Sequence, residues 1–475
     1  MAFKTQIGSV VAALLASGCT VIGPDYKSPG TTDYEAPGFI NAAGYDGEAP
    51  LADWWTLADD PVLDALVARS LAENNSLGSA YANVNAARAQ WGLARLNRAP
   101  FDTISGSYLE SRTSSAVFAA STGQAAAQPF PTNDISDLGV SATWEVDLFG
   151  RVTRTINIAK ADLGEAQALL ADLRAVVVAD AVDAYVNLRG LEVQLEVAEE
   201  NVRVQQSTLR VTEATRDAGR GTDLDVDLAQ AQLSGTLAAI PPLKAAISAA
   251  TYQLGVLTGQ TPAEISAIVA DSAPLPLFEG EIAIGDPAQL LRRRPDISAA
   301  ERALASATER IGLNIVEAFP RIDIIGQAGY QAVGFNSQFS ENALNFAAGP
   351  SVTWSLTNLV RAHRTVRAAK AGADAAFEAY EGTILSALAE AEIAFARQAR
   401  LQERLVHLSE ADRASGEAAR LARIRYENGA TNFLNVLDAE RRQIEAATAL
   451  ATGETELARA RVAVFRALRA GPSAN

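Results

Sequence analysis

Proline is missing from two long stretches of this 475-residue chain: 109 residues separate Pro131 from Pro241, and 121 separate Pro350 from Pro472. A proline inside a helix removes a hydrogen bond and clashes with the preceding turn, at a cost of roughly 3 kcal/mol. Stretches that lack it are therefore where very long helices can form. The residues inside carry the matching period. Leu188, Leu191, Leu195, Ala198, Val202, Gln205 and Leu209 alternate steps of three and four, a heptad seam, and Phe395, Leu401, Leu405 and Leu408 form a looser counterpart. A single helix from Arg151 to Ala218 would be roughly 100 Å long. No ordinary globular domain needs such an element, so it must lie along partners of similar length.

The two stretches are also copies of one another. Trp144 and Trp354 stand 210 positions apart, as do Arg151 and Arg361, Gly219 and Gly429, Leu224 and Leu434, and Val226 and Val436. Upstream the offset becomes 220, pairing Ala87 with Ala307, Gly92 with Gly312 and Pro100 with Pro320. The chain is a tandem repeat. Each copy reads as a helix, an extended segment, a loop, a second extended segment, a long helix, a tight turn and another helix. The ten-residue slip puts the longer loop in the first copy, between Pro100 and Trp144.

The extended segments alternate. Ile104, Gly106 and Tyr108 interleave with Thr103, Ser105 and Ser107, and Leu138, Val140, Ala142 and Trp144 with Gly139, Ser141 and Thr143. In the second copy Ile322, Ile324, Gly326, Ala328 and Tyr330 lead out, and Val352, Trp354 and Leu356 return. Small and hydroxyl residues on one face with apolar residues on the other suit a membrane β-barrel strand, and a soluble sheet nearly as well. Four strands cannot close a barrel, and lipid does not tolerate an open edge. Either the sheet is soluble or several chains complete one barrel.

Composition narrows the function. With 40 basic and 56 acidic side chains the net charge is −16, and no contiguous basic block offers nucleic acid a footprint. One cysteine excludes a disulfide framework, and two histidines, His363 and His407, read as solvated helix-face residues rather than a metal centre. No nucleophile elbow, P-loop or dinucleotide motif is present, and Gly219-Arg220-Gly221 is a turn between helices with no strand before it. Residues 1–18 carry one charge, Lys4, and an apolar run from Ile7 to Ala16 that is too short to cross a bilayer. That is the anatomy of a signal peptide. It ends Leu14-Leu15-Ala16-Ser17-Gly18-Cys19, which resembles a bacterial lipobox; the chain's one cysteine would then carry a lipid, and Thr20 after it favours the outer membrane.

Several motifs together are more specific. They are Gly23-Pro24-Asp25-Tyr26-Lys27-Ser28-Pro29, Trp54-Trp55, Trp144-Glu145-Val146-Asp147-Leu148-Phe149-Gly150-Arg151, Leu254-Gly255-Val256-Leu257-Thr258-Gly259, Arg293-Arg294-Pro295-Asp296-Ile297, and Tyr426-Glu427-Asn428-Gly429 followed by Leu434, Val436, Leu437, Asp438 and Ala439. Over its whole length the chain resembles the TolC-like outer membrane factors of tripartite efflux systems, of the NodT lipoprotein type. The second copy departs at Trp354-Ser355-Leu356-Thr357-Asn358-Leu359-Val360-Arg361, which lacks the Phe-Asp-x-Gly that the family usually has before the arginine.

The resemblance implies a mainly α fold with a β-barrel part. Three protomers contribute four transmembrane strands each to one barrel, continued by a periplasmic tunnel of long coiled-coil helices. The expected organisation is a signal peptide at 1–18, a lipidated extended segment at 19–58, a first repeat at 59–258, a belt segment at 259–290 and a second repeat at 291–470. Pro241-Pro242 should bend the shorter helix of the first copy. The implied function is a passive exit duct in the outer membrane of a Gram-negative bacterium. Its partners would be a periplasmic adaptor, an inner membrane pump of the RND type, two further copies of the chain and membrane lipid, with no cofactor beyond the lipid on Cys19. A non-conducting coiled-coil lipoprotein with a structural or adhesive role is the alternative. The family's periplasmic gate falls on Tyr426, Leu434, Asp438 and Arg441, of which the last three share one helix face. Their counterparts in the first copy are Arg216, Leu224, Leu228 and Ala231, so the set belongs to the second hairpin alone. Asp223, Asp225 and Asp227 read either as helix caps and dipole partners or as an acidic ring at the duct mouth.

Overall fold

The structure, a computed structural model, describes residues 21–29, 38–41, 52–112, 114–122, 130, 132–278, 282 and 284–471. The expected signal peptide and Cys19 lie outside the described residues. After a short 3-10 turn at Trp54–Ala58 come α1 (Pro61–Glu73), α2 (Asn75–Leu96), β1 (Phe101–Ser111), α3 (Ser115–Thr122), β2 (Asn133–Glu145) and α4 (Arg151–Asp217). Next are α5 (Asp223–Ala238), α6 (Ile240–Leu257), α7 (Pro262–Ile268) and α8 (Pro287–Arg293). The second copy supplies α9 (Pro295–Val316), β3 (Arg321–Val333), β4 (Leu344–Thr353), α10 (Thr357–Glu427) and α11 (Phe433–Ala467). The copies differ in this order at the loop between their strands, where α3 has only short 3-10 turns as its counterpart, and again in the last helix. Where α11 runs unbroken for 35 residues, its counterpart is divided at Ala239 into α5 and α6. Pro241 and Pro242 open α6, and without N–H groups they cannot continue the ladder of α5. The prolines interrupt the helix outright.

The chain forms two compact units, the first from Met1–Ser28, Asn85–Glu165 and Glu301–Ala379, the second from Pro29–Val84, Ala166–Ala300 and Tyr380–Asn475. In the first unit the strands make one antiparallel sheet in the order β1-β2-β3-β4, so the central pair joins the two copies. Register puts like with like. Ile104, Val140, Ala328 and Phe346 form one row across all four strands, and Gly106, Leu138, Tyr330 and Leu344 the next. On the opposite face lie Thr103, Ser141, Gln327 and Ala347, just before the first of these rows, and Ser105, Gly139, Gly329 and Asn345 between the two. Ile104, Val140, Leu138 and Phe346 are exposed.

At the foot of the sheet the two copies use the same clip. The Trp144 indole N–H donates to the Arg98 carbonyl at 3.0 Å, and that of Trp354 to Ala318 at 3.1 Å. The junctions around them then diverge. The Asp147 carboxylate caps α4, accepting from the N–H groups of Val152 (2.9 Å) and Thr153 (2.8 Å), while Glu145 pairs with Arg151. Ser355 and Thr357 occupy the equivalent places in the second copy, and Arg361 forms no ion pair with a described residue. Deeper in, the fully buried Arg154 donates to Glu309 at 2.8 Å, to Asp25 at 3.0 Å and to the carbonyls of Ile22 and Gly23. It ties the N-terminal arm to α4.

The second unit is built around Trp54, stacked on Phe465 at 4.4 Å and 5.7 Å from Phe278. Its indole N–H donates to the Ala470 carbonyl at 3.1 Å. Asp60 caps α1 through the N–H of Val62 and also accepts the Tyr185 hydroxyl proton at 2.6 Å. In this unit α4 and α11 approach closely at Gly190, where a Cβ would come within 3 Å of the Thr455 side chain. Arg459 with Asp183 (2.8 Å) and Arg466 with Asp180 (2.7 Å) continue the pairing of the two helices to one side of the approach.

Candidate functional site at the hairpin tips

Both long helices close with one turn geometry. Gly219 has φ +72°; its N–H donates to the Arg216 carbonyl at 2.8 Å, and Arg220 N–H reaches Thr215 at 3.0 Å. Gly429 also has φ +72°, with its N–H on Tyr426 at 2.9 Å and Ala430 N–H on Arg425 at 2.7 Å. This paired closure satisfies the last carbonyls of a helix, and glycine alone takes the left-handed position without strain.

The helices that follow start with caps. Thr222 and Asp225 form a capping box, the Asp225 carboxylate accepting from Thr222 N–H at 2.9 Å and Thr222 Oγ1 accepting from Asp225 N–H at 3.3 Å. Asp225 is thus engaged in helix capping. Asp223 lies exposed in the same turn, 3.8 Å from Arg216, and Asp227 is exposed. On the second hairpin the Asn432 side chain accepts from Asn435 N–H at 3.2 Å.

The gate residues separate into two environments. Tyr426 is buried against Phe433, ring centres 5.6 Å apart, in a plug with Ala229 and Val436 and with Leu209, Leu228 and Leu437 at its edge. Its hydroxyl is buried without a hydrogen-bond partner among the described residues. Leu434 is 56% exposed. Asp438 accepts from Arg442 Nε at 2.9 Å and lies 3.5 Å from Arg441, which is 3.8 Å from Glu445. Asp438 and Arg441 are therefore together, Leu434 stands free, and Tyr426 bonds to neither charge.

Glu440 is the tip residue that sequence reasoning missed. Its side chain has no exposed surface, and it accepts from Thr208 Oγ1 at 2.7 Å, Gln205 Nε2 at 3.1 Å and Arg423 Nη2 at 2.7 Å. One carboxylate thereby joins α4, α10 and α11. Two signals were present in the sequence: Gln205 interrupts the leucine seam, and Glu440 shares the apolar face of Phe433 and Val436.

The family profile described as "Outer membrane efflux protein" matches residues 66–260 and 287–469, one stretch for each copy of the repeat. The chain belongs to this family. Among outer membrane efflux proteins it is 28% identical over 471 residues to Nodulation protein T of Rhizobium leguminosarum bv. viciae, covering 98% of this chain and 93% of that protein. It is 27% identical over 474 residues to Outer membrane protein OprJ of Pseudomonas aeruginosa, covering 98% and 95%. The solved structure of the outer-membrane channel OprN shares 38% identity and superposes with a TM-score of 0.88 over 95% of this chain and 99% of that one. The family's fold, long helices with a small sheet in tandem repeats, is the fold seen here.

Proposed function

We propose that this outer membrane efflux protein is a channel subunit, three copies of which form the exit duct of a pump. The two-faced sheet carries the reading. Apolar rows on one face suit lipid, the Thr, Ser, Gln and Asn rows on the other suit a water-filled pore, and the outer edges of β1 and β4 are open for neighbouring copies. Solutes cross passively. An RND-type pump in the inner membrane supplies energy and selectivity, and a periplasmic adaptor joins it to the duct. The relatives in sequence include the probable efflux pump outer membrane protein TtgC of Pseudomonas putida, and OprN is an outer-membrane channel by name.

The Asp438–Arg441 pair and Leu434 would act at the periplasmic aperture, the charges holding it shut weakly and the leucines forming a dry ring that ions cross reluctantly. Asp223, Asp225 and Asp227 would lend the mouth a preference for cations. Single-channel recording in planar bilayers tests both levels. A protein that never conducts is a structural lipoprotein and no duct. If the aperture is at Asp438, then Asp438→Ala with Tyr426→Phe raises resting conductance, whereas Ala231→Ser, exposed on the first hairpin, does not. Wild-type conductance in the double variant would move the gate elsewhere. Leu228 packs into the Tyr426 plug and is no neutral control. Cys19 would carry the lipid, and intact mass spectrometry should find a diacylated N-terminus; an unmodified start there would refute the anchor.

A further inference from the structure

We propose that the foot of the sheet docks net-anionic phospholipid headgroups of the periplasmic-side leaflet, through Arg95 and Arg98 at its β1 edge and Arg361, Arg364 and Arg367 at its β4 edge. The inference rests on the strands spanning the membrane. Its starting point is a local reversal of charge. Residues 85–100 and 354–373 hold seven cations and no acidic residue, in a chain of net charge −16. The cations are spaced two or more positions apart and form no contiguous block in the sequence. All seven, these five with Arg88 and Lys370, are exposed, and none forms an ion pair with a described residue. Arg95 instead lies over the Trp91 ring at 4.9 Å.

Comparison of the two copies shows that the unpaired charge is specific to one of them. Arg151 and Arg154, the counterparts of Arg361 and Arg364, are both neutralised, by Glu145 and by Glu309 with Asp25. In the second copy Ser355 stands where Glu145 does, and Arg361 has no ion-pair partner among the described residues; it borders a cavity of about 370 Å³ whose wall also holds Glu145, Asp147 and Glu317.

Distance along the chain decides which cations take part. The headgroup layer is roughly 5–7 Å thick and the Debye length adds about 8 Å. At ~1.5 Å per residue Arg361, Arg364 and Arg367 fall within ~15 Å of the start of α10, and Arg95 and Arg98 within a similar reach of β1. Arg88 and Lys370, ~20 Å away by the same count, lie beyond that reach. Exposed Phe101 and Trp354 and the Trp144 clip on Arg98 mark the level of a membrane interface.

The test uses the full-length protein reconstituted in phosphatidylcholine bilayers with traces of spin-labelled phosphatidylglycerol or spin-labelled phosphatidylcholine. Electron spin resonance should show the anionic lipid preferentially immobilised, with the preference fading in high salt. A cation near an anionic lipid surface is worth roughly a fivefold change in partition. Arg361→Gln with Arg364→Gln and Arg367→Gln should therefore remove at least about half of the preference, and Arg95→Gln with Arg98→Gln should reduce it independently. Equal immobilisation of both lipids by wild type, or a preference untouched in both variants, overturns the proposal. So does loss of cross-linked trimer without a lipid effect, which would assign the cations to a contact between copies, or a change in ion selectivity alone, which would place them in the pore. If neither lipid is immobilised and no conductance appears, the spanning reading fails and takes this proposal with it.

Discussion

A carboxylate without exposed surface survives between helices only when its lone pairs find protons, because burial of an unpaired charge costs several kcal/mol. Glu440 meets that condition with Thr208, Gln205 and the Arg423 guanidinium. Glu440→Ala would strand the arginine and two neutral donors, and should destabilise the hairpin pair by about 3–5 kcal/mol. Glu440→Gln, which keeps the shape and one acceptor, should cost less. Limited proteolysis at the tips in detergent would rank them, and equal protection in both variants would show that the carboxylate holds nothing together. Tyr426 poses the opposite case. Its hydroxyl is buried and unpaired, so Tyr426→Phe should be neutral or slightly stabilising in the protomer. The residue chemistry of the tip was therefore half legible. The i, i+3 spacing of Asp438 and Arg441 could be read from the sequence, but the burial of Glu440 depends on which helix faces it, and no local pattern records that.

Helices approach this closely only where a side chain is absent. Gly190 faces Thr455, whose Cβ as well as its outer atoms would collide with an added methyl, so rotating the threonine gives no relief. Gly190→Ala should lower stability by about 1–3 kcal/mol, and Thr455→Ala in the same chain should restore most of it. Thermal unfolding of the three variants checks this, and full additivity of the single effects would refute the contact. At this scale sequence and structure agree where periodicity is strong. Alternation located four strands, and the proline-free stretches located α4 and α10. The short α3 in the first loop was missed, since the eight residues Ser115–Thr122 are too few to show a helical period. Pro241-Pro242 signalled a bend and produced a break, because two missing N–H groups in succession leave nothing to carry the ladder across.

A sheet with two open edges and an exposed apolar face is incomplete as a single copy. The strands of one chain end at β1 and β4, and each edge presents unpaired backbone groups that water or another strand must satisfy. A cyclic arrangement closes the set, joining the β4 edge of one copy to the β1 edge of the next. Mass measurement in detergent should give three copies, and only monomers and dimers after cross-linking would count against it. Assembly was implied by the unfinished sheet in the sequence, while the number of copies came only with the family resemblance.

The interruption at Ala239 has a mechanical side. An unbroken helix such as α11 resists bending and carries an axial push from end to end, whereas α5 and α6 meet at a joint where the hydrogen-bonded ladder lapses. Equal loads on the two tips would thus be met by one stiff strut and one jointed one. Under the same force the jointed hairpin yields first, and the stiff hairpin, which bears Asp438 and Arg441, moves as a lever.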